Sequence, residues 1–210
     1  MGKSEDMALF GGHKGWKVSD WTASDDRVRG GMSQSYIEVT PSGTARFHGT
    51  LDIDTLGGAG FASQRTTTTS TTWDLSAYDG ILIKLGKSDG KRYTFILKDQ
   101  LLAPDRRTGR EQATISYEYD FDVAALTEEM NVFVKWTELV PTYRGKKKNN
   151  AKSLDTTSVK RFSVMMRSFF GDQEGDFSLT IKSIKAVSRP EDLEKGVLVE
   201  KGDSAPFQKR

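Results

Sequence analysis

The chain has 210 residues, 36% of them hydrophobic and 29% charged, and 31 basic side chains stand against 29 acidic ones for a net charge of +2. Cysteine is absent, which excludes disulfides, thiolate metal sites and a cysteine nucleophile. The near balance of charge gives no bulk drive toward nucleic acid, and no apolar run approaches the ~20 residues of a membrane-spanning helix.

Residues 1–15 read as a flexible arm. They lack the apolar stretch of a signal peptide, and Glu5 and Asp6 do not suit an Arg-rich, acid-poor presequence. Gly2 suggests an acylation site, but Asp6 stands where that motif needs a hydroxyl. An intracellular compartment is the expectation, the cytoplasm included.

From residue 16 onward the dominant period is two. Ala45, Phe47, Leu51 and Ile53 share one parity while Arg46, His48, Thr50 and Asp52 take the other. The same alternation runs through Ile81–Leu85, Tyr93–Leu97, Ile115–Phe121, Val132–Trp136, Phe162–Met166 and Phe177–Ile181. Alternation of this kind marks strands with one face in a core. Lys87-Ser88-Asp89-Gly90-Lys91 reads as a tight hairpin whose glycine supplies the positive φ. After Ile181 the parity slips by one to Ile184, which predicts a bulge near Lys182–Ser183. Helical pattern is confined to Ala124–Met130 and to a short start at Pro190–Lys195.

Many short strands without βαβ units predict an all-β fold, an antiparallel sandwich occupying residues 16–188, followed by a charged tail at 189–210.

Several motifs bear on function. Asp25-Asp26-Arg27-Val28-Arg29-Gly30-Gly31-Met32-Ser33-Gln34-Ser35 reads either as a polar loop that binds a partner or a sugar, or as a loop tied down by Asp–Arg pairs. Gly57–Arg65 lacks the Gly-Lys-Ser/Thr of a phosphate loop and reads as a glycine-rich lead-in to a strand. Thr66–Thr72, nearly all hydroxyl residues, is an edge strand or a loop. Tyr143 and Lys147 have dehydrogenase spacing, but Pro141 and Gly145 oppose the helix which that chemistry needs. Lys146–Lys148 is a solvated basic turn.

The only histidines, His13 and His48, assemble no catalytic triad or metal box, so no catalytic residue, metal or other cofactor is expected. Oxygen-rich loops nevertheless leave room for a calcium ion. The tryptophans Trp16, Trp21, Trp73 and Trp136 read as core before they read as sugar platforms. Phe169 and Phe170 cannot both face inward, so Arg167-Ser168-Phe169-Phe170-Gly171 is a candidate contact site.

These segments resemble the complex I intermediate-associated protein family, assembly factors of the mitochondrial NADH:ubiquinone oxidoreductase. The resemblance spans roughly Trp16 to Val187. It rests on Ser24–Ser33, Phe47-His48-Gly49-Thr50-Leu51, Gly57–Arg65, Asp89–Phe95, Val140–Gly145 and Phe162–Met165, in that order.

The resemblance implies a galactose-binding-like jelly roll with a non-enzymatic, chaperone-like role. The implied partners are subunits or other assembly factors of complex I, with carbohydrate as the alternative ligand. It favours the mitochondrion, although members of human type carry a long N-terminal targeting region without counterpart here. The expected contact surface draws on Asp25, Asp26, Arg27, Arg29, Gly31, Ser33, Arg65, Tyr143, Arg144, Arg167, Phe169 and Phe170, because arginine and aromatic side chains dominate protein contacts.

Overall fold

The computed structural model describes residues 5–125 and 129–188. Among the described residues thirteen strands form two antiparallel sheets. In chain order they are β1 (Met7–Gly11), β2 (Trp21–Ala23), β3 (Gln34–Val39), β4 (Ala45–Leu51), β5 (Phe61–Thr66), β6 (Gly80–Ser88) and β7 (Arg92–Lys98). Then follow β8 (Ser116–Asp122), β9 (Met130–Lys135), β10 (Val140–Tyr143), β11 (Lys146–Lys147), β12 (Arg161–Arg167) and β13 (Gly175–Val187). One sheet runs β3-β4-β13-β6-β9 with β1 also on β13; the other runs β11-β10-β8-β7-β12-β5-β2. This is the all-β antiparallel sandwich that the alternation predicted, with the jelly-roll form that the resemblance implied.

The core fills the space between the sheets with the residues of apolar parity. Phe47, Leu85, Tyr93, Phe95, Leu97, Phe162, Met166 and Leu179 are all fully buried there. Facing inner surfaces of two twisted sheets interdigitate in this way because each alone leaves one apolar face wet. The bulge expected near Lys182–Ser183 is present. The register of β13 against β6 shifts between Leu179 and Ile181 and again between Ile181 and Ser183, and Ser183 and Ile184 are consecutively buried.

Two expectations give way. Residues 7–11 are not a loose arm: β1 pairs with Ser183–Ala186 of β13, on the flank that β4 leaves at Ile181. Phe10 packs in an aromatic cluster with its ring 5.0 Å from Trp21 and 5.3 Å from Phe162. Trp16 and Trp21 are themselves buried, so leaving Phe10 in water would uncover them.

The Asp89-Gly90 turn is not a hairpin either, because β6 and β7 lie in different sheets. Gly90 does take φ +82°, but the turn is a corner. Its carboxylate accepts from Lys91 N at 3.1 Å, from the Tyr93 hydroxyl at 3.0 Å and, across to β13, from Ser178 N at 2.7 Å. Of the segment expected to be helical, Ala124–Met130, residues 126–128 lie outside the described residues and Met130 opens β9. The short helix expected at Pro190–Lys195 and the tail at 189–210 also lie outside the described residues.

Candidate functional site: the outer groove of the seven-stranded sheet

The strands of the larger sheet present their polar parity outward, and the register places those side chains in rows. Arg65 on β5 stands beside Ser163 on β12, then Ile96 on β7, then Glu118 on β8, then Val140 on β10. One step along lie Ser63, Met165, Thr94 and Asp120, and one further Phe61 stands beside Arg167. Two cavities of about 720 Å³ and about 680 Å³ open on this face. They share Phe61, Ile96, Lys98, Ala113, Ser116 and Met165, so they form one groove.

A network of ion pairs stiffens its floor. Arg167 donates to Glu118 at 2.8 Å and to Asp120 at 2.6 Å, and Thr142 and Thr94 donate to the same two carboxylates at 2.7 Å and 2.6 Å. Burial depresses the Arg167 guanidinium, but Glu118 and Asp120 outweigh it and hold the group above its ordinary value. At the other end Glu111 bridges Arg65, at 3.1 Å, and Arg161.

The rim of the second cavity carries unusual backbone. Among the described residues, the non-glycine positions with positive φ are Arg144 (51°), Phe169 (46°) and Phe170 (65°), and all three line this one cavity. The left-handed region costs an L-residue roughly 1–2 kcal/mol, and such outliers cluster where function requires them. Phe170 is 99% exposed, so no packing of its own side chain holds it there. Phe169 lies between the guanidiniums of Arg92, 4.3 Å from its ring centre, and Arg167, at 5.0 Å. Arg29 lies over Phe61 at 5.4 Å.

The candidate residues therefore divide. Arg29, Arg144, Arg167, Phe169 and Phe170 come together around the second cavity, and Arg27, Arg65 and the edge of Asp25 line the first. Tyr143 lines neither; it is exposed on the β10–β11 hairpin, 5.6 Å beneath the Arg144 guanidinium.

Asp26 and Ser33 are fully buried and Asp25 is 4% exposed, which corrects the expectation that they meet a partner. Asp26 accepts from Ser33 N at 3.1 Å, Ser33 Oγ at 2.7 Å and Phe61 N at 3.0 Å. Asp25 accepts from Ser35 N at 3.1 Å, Ser35 Oγ at 2.6 Å and Ser63 N at 2.9 Å. The two carboxylates clasp β3 to β5, and arginine enters only through Arg27, 3.3 Å from Asp25. Gly31 is buried as well, and a Cβ there would enter the Asp26 carboxylate, so the position takes glycine.

Phe61, Arg92, Lys98, Glu111, Glu118, Asp120 and Arg161 were not among the candidates. For all but Glu111, which stands on the β7–β8 connection, the signal was an outward parity on strands whose adjacency only the fold reveals.

The fold defines a class: a jelly-roll sandwich, the architecture also found in carbohydrate-binding modules. A family 11 carbohydrate-binding module of a cellulosomal cellulase of Clostridium thermocellum matches with a TM-score of 0.60, 12% identity, and coverage of 90% of this chain and 97% of that one. A family 11 module from the same organism in complex with a mixed-linked tetrasaccharide matches at 0.55, 12%, 87% and 95%. At these identities the likeness is one of fold.

Residues 9–181 match the complex I intermediate-associated protein 30 family, and the chain belongs to it. An uncharacterized protein of Schizosaccharomyces pombe is 42% identical over 187 residues, covering 87% of this chain and 84% of its own. Among the described residues no helix is long and apolar enough to cross a membrane.

Proposed function

We propose that this protein is a non-catalytic assembly factor for respiratory complex I that holds client polypeptide in the outer groove of its seven-stranded sheet. Its place of action is then the mitochondrion. Family membership supports the complex, and the rim supports the mode. The observation that carries the reading is the convergence of Arg144, Phe169 and Phe170, all in left-handed backbone, on one cavity beside a wholly exposed phenyl ring. A rigid aromatic anchor ringed by arginines is the chemistry of a protein contact.

Two features favour a binding role over catalysis or sugar capture. Glu118 and Asp120 are bonded to Arg167 rather than free to move protons. Phe61 and Phe169 each carry a guanidinium over the ring, Trp16 and Trp21 are buried, and Trp73 and Trp136 pack against the core, so the groove offers no tryptophan platform and the bare ring of its rim is Phe170.

Affinity purification with mass spectrometry from mitochondria tests the reading. Wild type co-isolates complex I subunits or their assembly partners, and Arg29→Ala, Arg144→Ala or Phe170→Ala each weakens capture by about thirtyfold where the residue is a hot spot of ~2 kcal/mol, without a matching fall in melting temperature. Capture unaffected by all three, or saturable binding of mixed-linked β-glucan oligosaccharides in its place, refutes it.

A further inference from the structure

The first cavity holds a charge arrangement that the rim contacts do not use. Arg161 is 2% exposed, and its Nε–H meets no acceptor among the described residues. Buried guanidiniums left short of acceptors are costly, and a native one asks for an explanation. One Glu111 carboxylate oxygen takes a bond from Arg161 Nη1, and the other lies 3.1 Å from Arg65. Lys98 is a third cation on the same wall and donates to Thr114 Oγ1 at 3.1 Å. Burial pushes the Lys98 ammonium down, with Glu111 opposing and Arg161 and Arg65 adding to the fall.

Glu111 is not part of the sheet. It stands on the connection between β7 and β8, just after a turn in which Asp105 N donates to Arg110 O and Gly109 N to Asp105 O, both at 2.8 Å. The cations are carried by β5, β7 and β12, while their carboxylate is delivered by a loop and remains about one-third exposed, at 35%. The cavity as a whole is lined by five cations and two carboxylates, of which Asp25 is already engaged by Ser35 and Ser63.

We infer that Arg65, Lys98 and Arg161 form a carboxylate-binding pocket for the client chain, and that Glu111 is its internal occupant, displaced when a client carboxylate enters. The inference rests on the protein-binding reading of the groove and gives the client its chemistry: a segment whose carboxylate, on an acidic side chain or at a chain end, reaches the first cavity while its apolar part meets Phe170. The spare Nε–H of Arg161 is the additional donor that a carboxylate free of a loop tether can approach. A tethered occupant competes as a local ligand at high effective concentration, so it weakens every external carboxylate until it is removed.

Isothermal titration calorimetry with two probes tests this on the full chain. One probe is an acetylated, amidated oligoglutamate peptide, which offers side-chain carboxylates only; the other is a peptide of neutral side chains with a free C-terminus. Glu111→Gln keeps an acceptor for the arginines but loses the charge. It is expected to bind one of the two probes about tenfold tighter than wild type, the worth of a charge-assisted hydrogen bond, and Arg65→Gln in the Glu111→Gln background is expected to abolish the gain. The probe that responds names the source of the carboxylate.

In wild type the 1H–15N resonance of Arg161 Nε is expected to move on addition of the same probe, a readout independent of whether the variants fold. No tightening in folded Glu111→Gln, or inorganic phosphate binding tighter than either peptide, overturns the pocket assignment; where the variant does not fold, an unmoved Arg161 resonance does the same. Loss of client capture by Phe170→Ala with no response at Glu111 sinks this inference alone. Tightening at Glu111 without any captured client sinks the assembly reading alone.

Discussion

Replacing Asp26 with alanine isolates the clasp beneath the groove. The carboxylate is fully buried and takes hydrogen bonds from two backbone amides, Ser33 N at 3.1 Å and Phe61 N at 3.0 Å, and from the Ser33 hydroxyl at 2.7 Å. In Asp26→Ala the hydroxyl still reaches Asp52 O at 3.3 Å, but both amides lose their acceptor. A buried donor left unmade costs about 1–3 kcal/mol, so two of them cost about 3–6 kcal/mol once the charge of the lost acceptor is included. A chain of this length loses roughly 2–4 °C per kcal/mol, which places the fall in melting temperature at roughly 6–24 °C. Asp26→Asn preserves the shape but turns one acceptor into a donor facing an amide, and is expected to lose about 1–3 kcal/mol. Thermal and urea unfolding followed by circular dichroism reads both. A melting temperature for Asp26→Ala within about 2 °C of wild type, with client capture lost, would show that the carboxylate faces the partner and that the clasp is misassigned.

Three further outcomes follow from the same structure. Phe10→Ala empties the site between Trp16, Trp21 and Phe162 and is expected to destabilise by about 3–5 kcal/mol in urea unfolding; a loss below about 1 kcal/mol would restore the loose arm. Phe170→Gly relieves a left-handed residue that packs on nothing, so it is expected to stabilise by about 1 kcal/mol while client capture falls, and a simultaneous loss of both would count against the contact reading. Tyr93, Tyr117 and Tyr119 are all pushed up by burial, Tyr117 to about 12, so they resist ionisation in an absorbance titration at high pH. Because their folded values lie above the unfolded one of about 10, this stability is present below that pH and is lost as pH rises through the folded values; parallel titration of all six tyrosines in the native protein would contradict it.

The sandwich was legible because alternation is a property of each strand alone. Phe47, Tyr93, Phe162 and Leu179 declare their burial within a few residues of chain, and so does the parity slip before Ile184. What alternation does not carry is adjacency. The chemistry of Asp89-Gly90 specifies a turn, but not whether the chain returns to its own sheet or crosses to the other, a choice settled by Ser178 of β13. β1 was illegible for a related reason. Its five residues run into buried Leu9, Phe10 and Gly11 without alternating, because the register against β13 shifts between Ala8 and Phe10.

The two aspartates failed differently. Composition pairs them with Arg27 and Arg29, whereas, Arg27 on Asp25 apart, their partners are amides and hydroxyls of Ser33 and Ser35 at the start of β3 and amides on β5, as many as 38 residues away. Of the groove's rim, sequence could name Arg29, Arg144, Arg167, Phe169 and Phe170. Glu118, Asp120 and Arg92 required knowing that β8 lies beside β7 and β7 beside β12.

That division explains why the rim, though strained, can serve as a rigid surface. The left-handed pair Phe169-Phe170 is held from both sides by hydrogen bonds of its neighbours. Ser168 N donates to Gly60 O at 3.0 Å, and Ser168 O receives Gly171 N, Asp172 N and Gln173 N. The Gln173 amide then donates to Arg92 O at 2.8 Å and Arg167 O at 2.7 Å and accepts from Arg92 N at 3.1 Å, tying the turn to the ends of β7 and β12. Seven hydrogen bonds therefore fix a turn whose most exposed side chain makes no packing contribution. A flexible loop presenting the same phenyl ring would lose part of its binding energy to ordering, about 0.5–1.5 kcal/mol for each side chain immobilised. Here that ordering is completed on folding, and the aspartate clasp beneath β5 keeps Gly60 and Phe61 in place for it.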